Sequence, residues 1–145
     1  MPTDEIVIDS NVALNLVFRR SPYHAQAGQL FADCLQAATT LLAPPVFESE
    51  VDSAIRRKAF LGHIDASAER VLFQALDSLP VAIVLEPGMR DQSRIIAWKC
   101  SQTTVYDATY AALAGLRQCE LWTADQAFFR AAHSHYPFVR FLGDY

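Results

Sequence analysis

The chain has little of what marks several large protein classes. No apolar run approaches the roughly 20 residues that a membrane-spanning helix needs. The opening stretch holds Asp4 and Glu5 and no basic segment, so it does not read as a secretory signal. The five glycines, Gly28, Gly62, Gly88, Gly115 and Gly143, form neither a G-x-G-x-x-G fingerprint nor a phosphate-binding loop, which leaves nucleotide-cofactor folds without support. Cys34, Cys100 and Cys119 are odd in number and far apart, and they read as buried reduced thiols rather than a disulfide framework. The four histidines make no H-x-x-x-H or H-E-x-x-H pattern, so no zinc motif is present. Cations are also outnumbered: 12 Lys and Arg stand against 16 Asp and Glu, a net charge of −4. That balance disfavours nonspecific wrapping of nucleic acid, but it permits a basic rim around an acidic cleft.

What is present is core material. Hydrophobic residues make up 52% of 145, enough for one domain over 1–145 with a packed interior. A cytoplasmic location is expected. Ile6-Val7-Ile8 reads as a buried strand that stops at Asp9-Ser10-Asn11, and a short helix with Val12, Leu14, Leu16 and Val17 follows. Ser21-Pro22 reads as the start of a second helix through Leu35, and Thr39–Ala43 as a strand closed by Pro44-Pro45. Helical spacing then runs from Val46 to Leu61, with Gly62 as terminator, and Asp65 caps a further helix. Val81–Leu85 is the clearest buried-strand run. Helices over Met89–Lys99 and Val105–Leu116, a strand over Glu120–Thr123, a helix opened by Asp125 and a strand over Phe138–Leu142 complete the chain. Strands alternating with helices predict an α/β layer fold with a mostly parallel sheet, whose ligands sit beyond the carboxyl ends of the strands.

Four acids fall at such ends. Asp9 follows the first strand, Asp125 follows Glu120–Thr123 after one alanine, Glu50 lies early in the helix after Pro45, and Asp107 lies in the first turn of the helix after Thr104. Each has an ordinary structural role open to it. Asp9 and Asp125 suit helix caps, Thr104 with Asp107 resembles a capping box, and Glu50 gains from a helix dipole. Collected at one sheet edge, however, four acids repel one another unless a counter-charge is supplied. A hard divalent cation such as Mg²⁺ or Mn²⁺ prefers carboxylate and water oxygens and needs neither His nor Cys. Glu48 shares the helix start with Glu50, and helical projection lets either reach the sheet edge.

The segments Val7-Ile8-Asp9-Ser10-Asn11-Val12, Pro45 to Val51, Val105-Tyr106-Asp107-Ala108-Thr109-Tyr110-Ala111-Ala112-Leu113-Ala114 and Leu121-Trp122-Thr123-Ala124-Asp125 together resemble the PIN-domain ribonucleases. Among these, the chain is most similar to the VapC-type toxins of bacterial toxin–antitoxin pairs. The resemblance spans nearly the whole chain, with the four acidic motifs in the family's order. It implies a three-layer α/β/α fold and makes Asp9, Glu50, Asp107 and Asp125 the catalytic, metal-binding acids, with Mg²⁺ (or Mn²⁺) as cofactor. Its proline-to-glutamate spacing favours Glu50 over Glu48. Thr123 matches a hydroxyl residue that positions the last acid or a water, and Ser10 and Asn11 match the polar residues after the first aspartate. The same resemblance implies hydrolysis of RNA phosphodiester bonds, a small cognate antitoxin that masks the cleft, and a homodimer.

Arg56-Arg57-Lys58 and Arg19-Arg20 are candidates for a phosphate track. Trp98, Trp122, Tyr106 and Tyr110 have spacings expected of core residues and receive no site role. Two rival readings remain: a catalytically silent PIN-like module that binds RNA or protein, and a phosphatase of the haloacid dehalogenase type. The second lacks an acid two residues after Asp9, where Asn11 stands.

Overall fold

The computed structural model describes residues 4–145. Its strands are β1 (Glu5–Ile8), β2 (Thr40–Ala43), β3 (Val81–Ile83), β4 (Glu120–Thr123) and β5 (Val139–Phe141). They form one sheet in the order β3-β2-β1-β4-β5, and every neighbouring pair is parallel. Parallel neighbours need long crossovers, and helices supply them. Helices α1 (Ser10–Val17) and α2 (His24–Gln36) link β1 to β2, and α3 (Val46–Phe60) and α4 (Ala66–Asp77) link β2 to β3. Helices α5 (Met89–Lys99) and α6 (Tyr106–Arg117) carry the chain back across the sheet to β4, and α7 (Gln126–Ala132) leads to β5. Helices α1, α2, α3 and α4 pack among themselves, whereas α5 packs on α6 and α6 on β1 and β4. The architecture is the expected three-layer α/β/α sandwich.

Strand β1 sits at the centre because its residues tolerate burial on both faces: Val7 and Ile8 are fully buried. Against β1 and β4 lies α6, where Ala108, Ala111, Ala112 and Ala114 are buried beside Leu113 and Tyr110. Alanine favours the helix, and its small side chain lets the helix backbone approach the sheet. Gly62 ends α3 as expected, at φ +77° with its N–H donating to the Ala59 carbonyl. Asp65 caps α4 by accepting from the Ala68 N–H at 2.8 Å. All three cysteines are free and buried.

Several local expectations need correction. Val81–Leu85 is not a buried strand. Only Val81–Ile83 pairs, at the sheet edge, and Ala82 and Ile83 are exposed. Its composition suits a central strand, but topology gives it one neighbour instead of two. Helix α2 begins at His24 and not at Ser21-Pro22. There the Ser21 carbonyl accepts from the His24 N–H, and Asn15 Oδ1 accepts from the Tyr23 N–H, so the proline sits in a turn tied to α1. Thr104 and Asp107 form no capping box, since α6 starts at Tyr106 after Val105 with no side-chain cap. Finally, Trp98 is 80% and Tyr106 54% exposed, so neither belongs to the core.

Candidate active site

The path of the chain creates the site. From central β1 it runs outward to β2 and β3, then returns over the opposite face to β4 on the other side of β1. The connections leaving β1 and β4 therefore diverge, and a crevice opens at their carboxyl ends. Pairing of Ile8 with Trp122, extended by the Asp9 N–H donating to the Trp122 carbonyl at 3.0 Å, sets Asp9 beside Thr123. Thr123 Oγ1 donates to Asp9 Oδ2 at 2.9 Å, and Ser10 Oγ donates to Asp9 Oδ1 at 3.2 Å. The Thr123 oxygen also accepts from the Asp125 N–H (3.0 Å) and from Asn11 Nδ2 (3.3 Å). Asn11 Oδ1 accepts from the Ala124 N–H at 2.8 Å. Thr123 and Asn11 thus lace the two strand-end loops together and orient both Asp9 and Asp125. The sequence singled out Ser10, Asn11 and Thr123, and all three stand in this network.

Asp9 occupies the cap position of α1, but its carboxylate makes no cap bond. It is 1% exposed. The ordinary structural reading of this residue therefore fails. Asp125 does serve as a cap, with Oδ1 accepting from the Phe128 N–H at 2.9 Å. Glu50, in the second turn of α3, accepts through Oε1 from the Tyr110 hydroxyl at 2.5 Å. Glu48 is exposed and flanks a separate groove with Leu76, Asp77 and Leu79. The fold thus brings Glu50 into the site and leaves Glu48 out. Tyr110 is a participant that the sequence reading left in the core. The available signal was its position three residues after Asp107, which puts both side chains on neighbouring parts of α6.

The carboxylates feel one another. Burial, followed by the charges of Asp107 and Glu50, pushes Asp9 up to about 7 against the restraining hydrogen bonds from Thr123 and Ser10. Burial, then the charges of Asp125 and Glu50, pushes Asp107 up to about 6. Tyr110 is shifted upward by burial, by Asp9 and by its bond to Glu50, so its hydroxyl stays a proton donor throughout the neutral range. Among the described residues, no Lys or Arg forms an ion pair with any of the four acids.

A family model described as PIN domain matches residues 6–134. The chain belongs to that family. PIN domains are generally nucleases, and they generally use divalent metal ions. Among curated proteins nothing matches the chain. Among solved structures, this PIN domain is similar to the crystal structure of PAE2754 from Pyrobaculum aerophilum. The identity is 22%, the TM-score 0.68, and the match covers 99% of this chain and 94% of the other. That likeness concerns the fold. Family membership also removes the haloacid dehalogenase reading, since Asn11 is committed through both ends of its amide to the β4 loop.

The donor set fits a hard cation. A buried carboxylate with no cationic partner among the described residues, and two acids whose pKa values are raised, are conditions that a divalent ion relieves. Among the described residues, no three His, Cys, Asp or Glu side chains stand close enough together to hold a metal ion between them. An open arrangement still suits Mg²⁺, which binds through one or two carboxylates and keeps several waters.

Proposed function

We propose that this PIN domain is a metal-dependent endoribonuclease that hydrolyses RNA phosphodiester bonds, and that it is the toxin of a type II toxin–antitoxin pair. The observation that carries the nuclease reading is Asp9: buried, without a cationic partner among the described residues, uninvolved in helix capping, and electrostatically coupled to Asp107 and Glu50. When bound by these acids, a divalent cation such as Mg²⁺ supplies the missing positive charge, acidifies a water for in-line attack on phosphorus and stabilises the oxyanions of the transition state.

The chain's own part is orientation. Thr123 and Ser10 fix the two oxygens of Asp9. Tyr110 holds Glu50 by one oxygen and leaves Oε2 for a ligand, while Asp125 is anchored through Oδ1 and presents its second oxygen. Asp107 opens α6 close enough to the other acids to complete the negative field. Strand ends and the first turns of helices carry all four acids, so their backbones are fixed and only side chains have to turn toward a bound ion.

Its partners in this reading are RNA, a small antitoxin that covers the acids, and a second copy of the chain. Exposed Leu85, Ile95 and Trp98, on and beside α5, offer apolar surface for such protein contacts. Incubation of purified chain with labelled RNA and Mg²⁺ or Mn²⁺ tests the activity: cleavage that stops on EDTA treatment is expected, and full cleavage in a metal-stripped sample overturns it. RNA binding without cleavage under any divalent ion would instead favour the silent-module reading. Toxicity on expression, relieved by a neighbouring small reading frame, tests the toxin assignment.

A further inference from the structure

The sheet has two edges, and they differ in cover. At the β5 edge, Val139 and Phe141 are buried. At the β3 edge, Ala82 is exposed and Ile83 is 39% exposed. Strand β3 has a single neighbour, β2. The Val84 N–H donates to the Ala43 carbonyl at 2.9 Å. Consecutive residues of a parallel strand turn their main-chain groups to opposite sides, so those of Ile83 point away from β2. An open edge of this kind is a template for another strand.

Beside that edge lies a hollow of about 180 Å³, where Val81, Ile83 and Leu76 meet Glu48, Asp52 and Asp77. Glu48 is the glutamate that the active site leaves out. It stands four residues before Asp52, so the two share one side of α3, while Glu50 lies roughly 200° around the helix from each. Asp77 is the last residue of α4, with no basic residue in that turn. A helix dipole disfavours an anion there. All three acids are exposed, and none forms an ion pair among the described residues.

Three unanswered acids beside an open strand limit what can dock. Among the described residues no three acids stand close enough together to hold a metal ion, so separate positive charges answer them better than one ion does. A second copy laid edge to edge brings the same acids against these and is repelled. An extended chain with Lys or Arg at alternate positions meets every requirement. Its backbone pairs with Ile83, and its cations recur on one face about every 6.6 Å. Glu48 and Asp52 are spaced about 6 Å apart along the axis of α3.

We propose that the β3 edge and its acidic hollow are a docking site for an extended, cationic segment of a partner protein, which adds a strand beside β3. Strand addition supplies affinity through the main chain and selectivity through alternate side chains. The proposal is independent of the nuclease reading, since it uses none of the four strand-end acids.

The test is binding of the full chain to a fluorescein-labelled peptide of about eight residues with Lys and Val alternating. Controls are the same peptide with Glu for Lys, and one N-methylated along its backbone so that it cannot join a ladder. Binding of the Lys peptide alone is expected, weakening as salt rises. Glu48→Gln, Asp52→Asn and Asp77→Asn each weaken it by about threefold, and all three together by about tenfold or more. Melting curves confirm that the variants fold, and the N-methylated peptide tests the edge without altering the protein. Equal affinity for the Lys and Glu peptides, or for the N-methylated one, overturns the proposal. So does binding that survives the triple substitution and is displaced by Mn²⁺, which would put the peptide on the strand-end acids instead. Failure of RNA cleavage bears only on the nuclease reading and leaves these expectations unchanged.

Discussion

Strand β1 and helix α6 carry charge at both of their ends, and the two ends are built on opposite rules. At the start of β1, Glu5 meets Arg117, the last residue of α6. Two of the arginine's nitrogens donate to its carboxylate, and Nη1 reaches Glu86 at 2.8 Å. Both acids there share one cation, and the arginine is held still more firmly protonated. Beyond the far end of β1, Asp9 lies near Asp107 at the start of α6 with Glu50 close by, and no Lys or Arg among the described residues pairs with them. One sheet and one helix thus hold a salt-bridged cluster and an unbridged one. The paired end ties elements together. The unpaired end stores repulsion, which a ligand of the right charge would relieve.

The largest expected effect comes from removing a charge at the uncompensated end. Asp9→Asn or Asp107→Asn is expected to lower RNA cleavage at least about 100-fold while leaving the melting temperature equal or higher, because a repelling charge is gone. Activity near wild type, measured with labelled RNA and Mg²⁺, would show that the acids are not the reactive centre.

The next effect is on stability. Asp9 titrates near 7 when folded, against an ordinary 3.8, so between those values the folded chain holds a proton that the unfolded chain has lost. Stability of the metal-free protein is therefore greatest below about pH 4 as far as this group is concerned, and it declines as pH rises toward 7. A fall in melting temperature of at least about 5 °C across that window is expected, flattened by Asp9→Asn and reversed by added Mn²⁺. A melting temperature indifferent to both pH and Mn²⁺ would contradict the picture of stored repulsion.

Smaller again is the effect of Tyr110→Phe. It keeps the buried ring and removes the donor to Glu50, and calorimetry should find Mn²⁺ affinity reduced about 10-fold. The smallest functional effect belongs to the paired end. Arg117→Met is expected to lower the midpoint of a denaturant titration slightly and to leave cleavage unchanged. If it impaired cleavage as strongly as Asp9→Asn, the contrast between the two ends would dissolve.

Much of this was legible in one dimension. Apolar runs ending in Asp9 and in Thr123-Ala124-Asp125 marked the two strand ends, because buried parallel strands are short, β-branched and closed by turn formers. Asp65 and Asp125 were recognisable as caps, because capping is a local geometry. Other features depend on neighbours far along the chain. Glu48 and Glu50 are equivalent to helical projection until α6 packs and offers Tyr110 to only one of them. Val81–Leu85 reads as an interior strand until strand order leaves it at the edge. Trp98 and Tyr106 read as core until the packing of α5 on α6 leaves them exposed.

The amino-acid order by itself determined the alternation of strands and helices, the inventory of acids at strand ends and the lack of histidine or cysteine chemistry, since these follow from periodicity and side-chain type. Only the tertiary structure decided which acids face one another, which glutamate joins them, and that Tyr110 and Tyr106 border the site. Those outcomes depend on distances between residues such as Asp9 and Thr123, separated by more than a hundred positions along the backbone and joined only when the sheet forms.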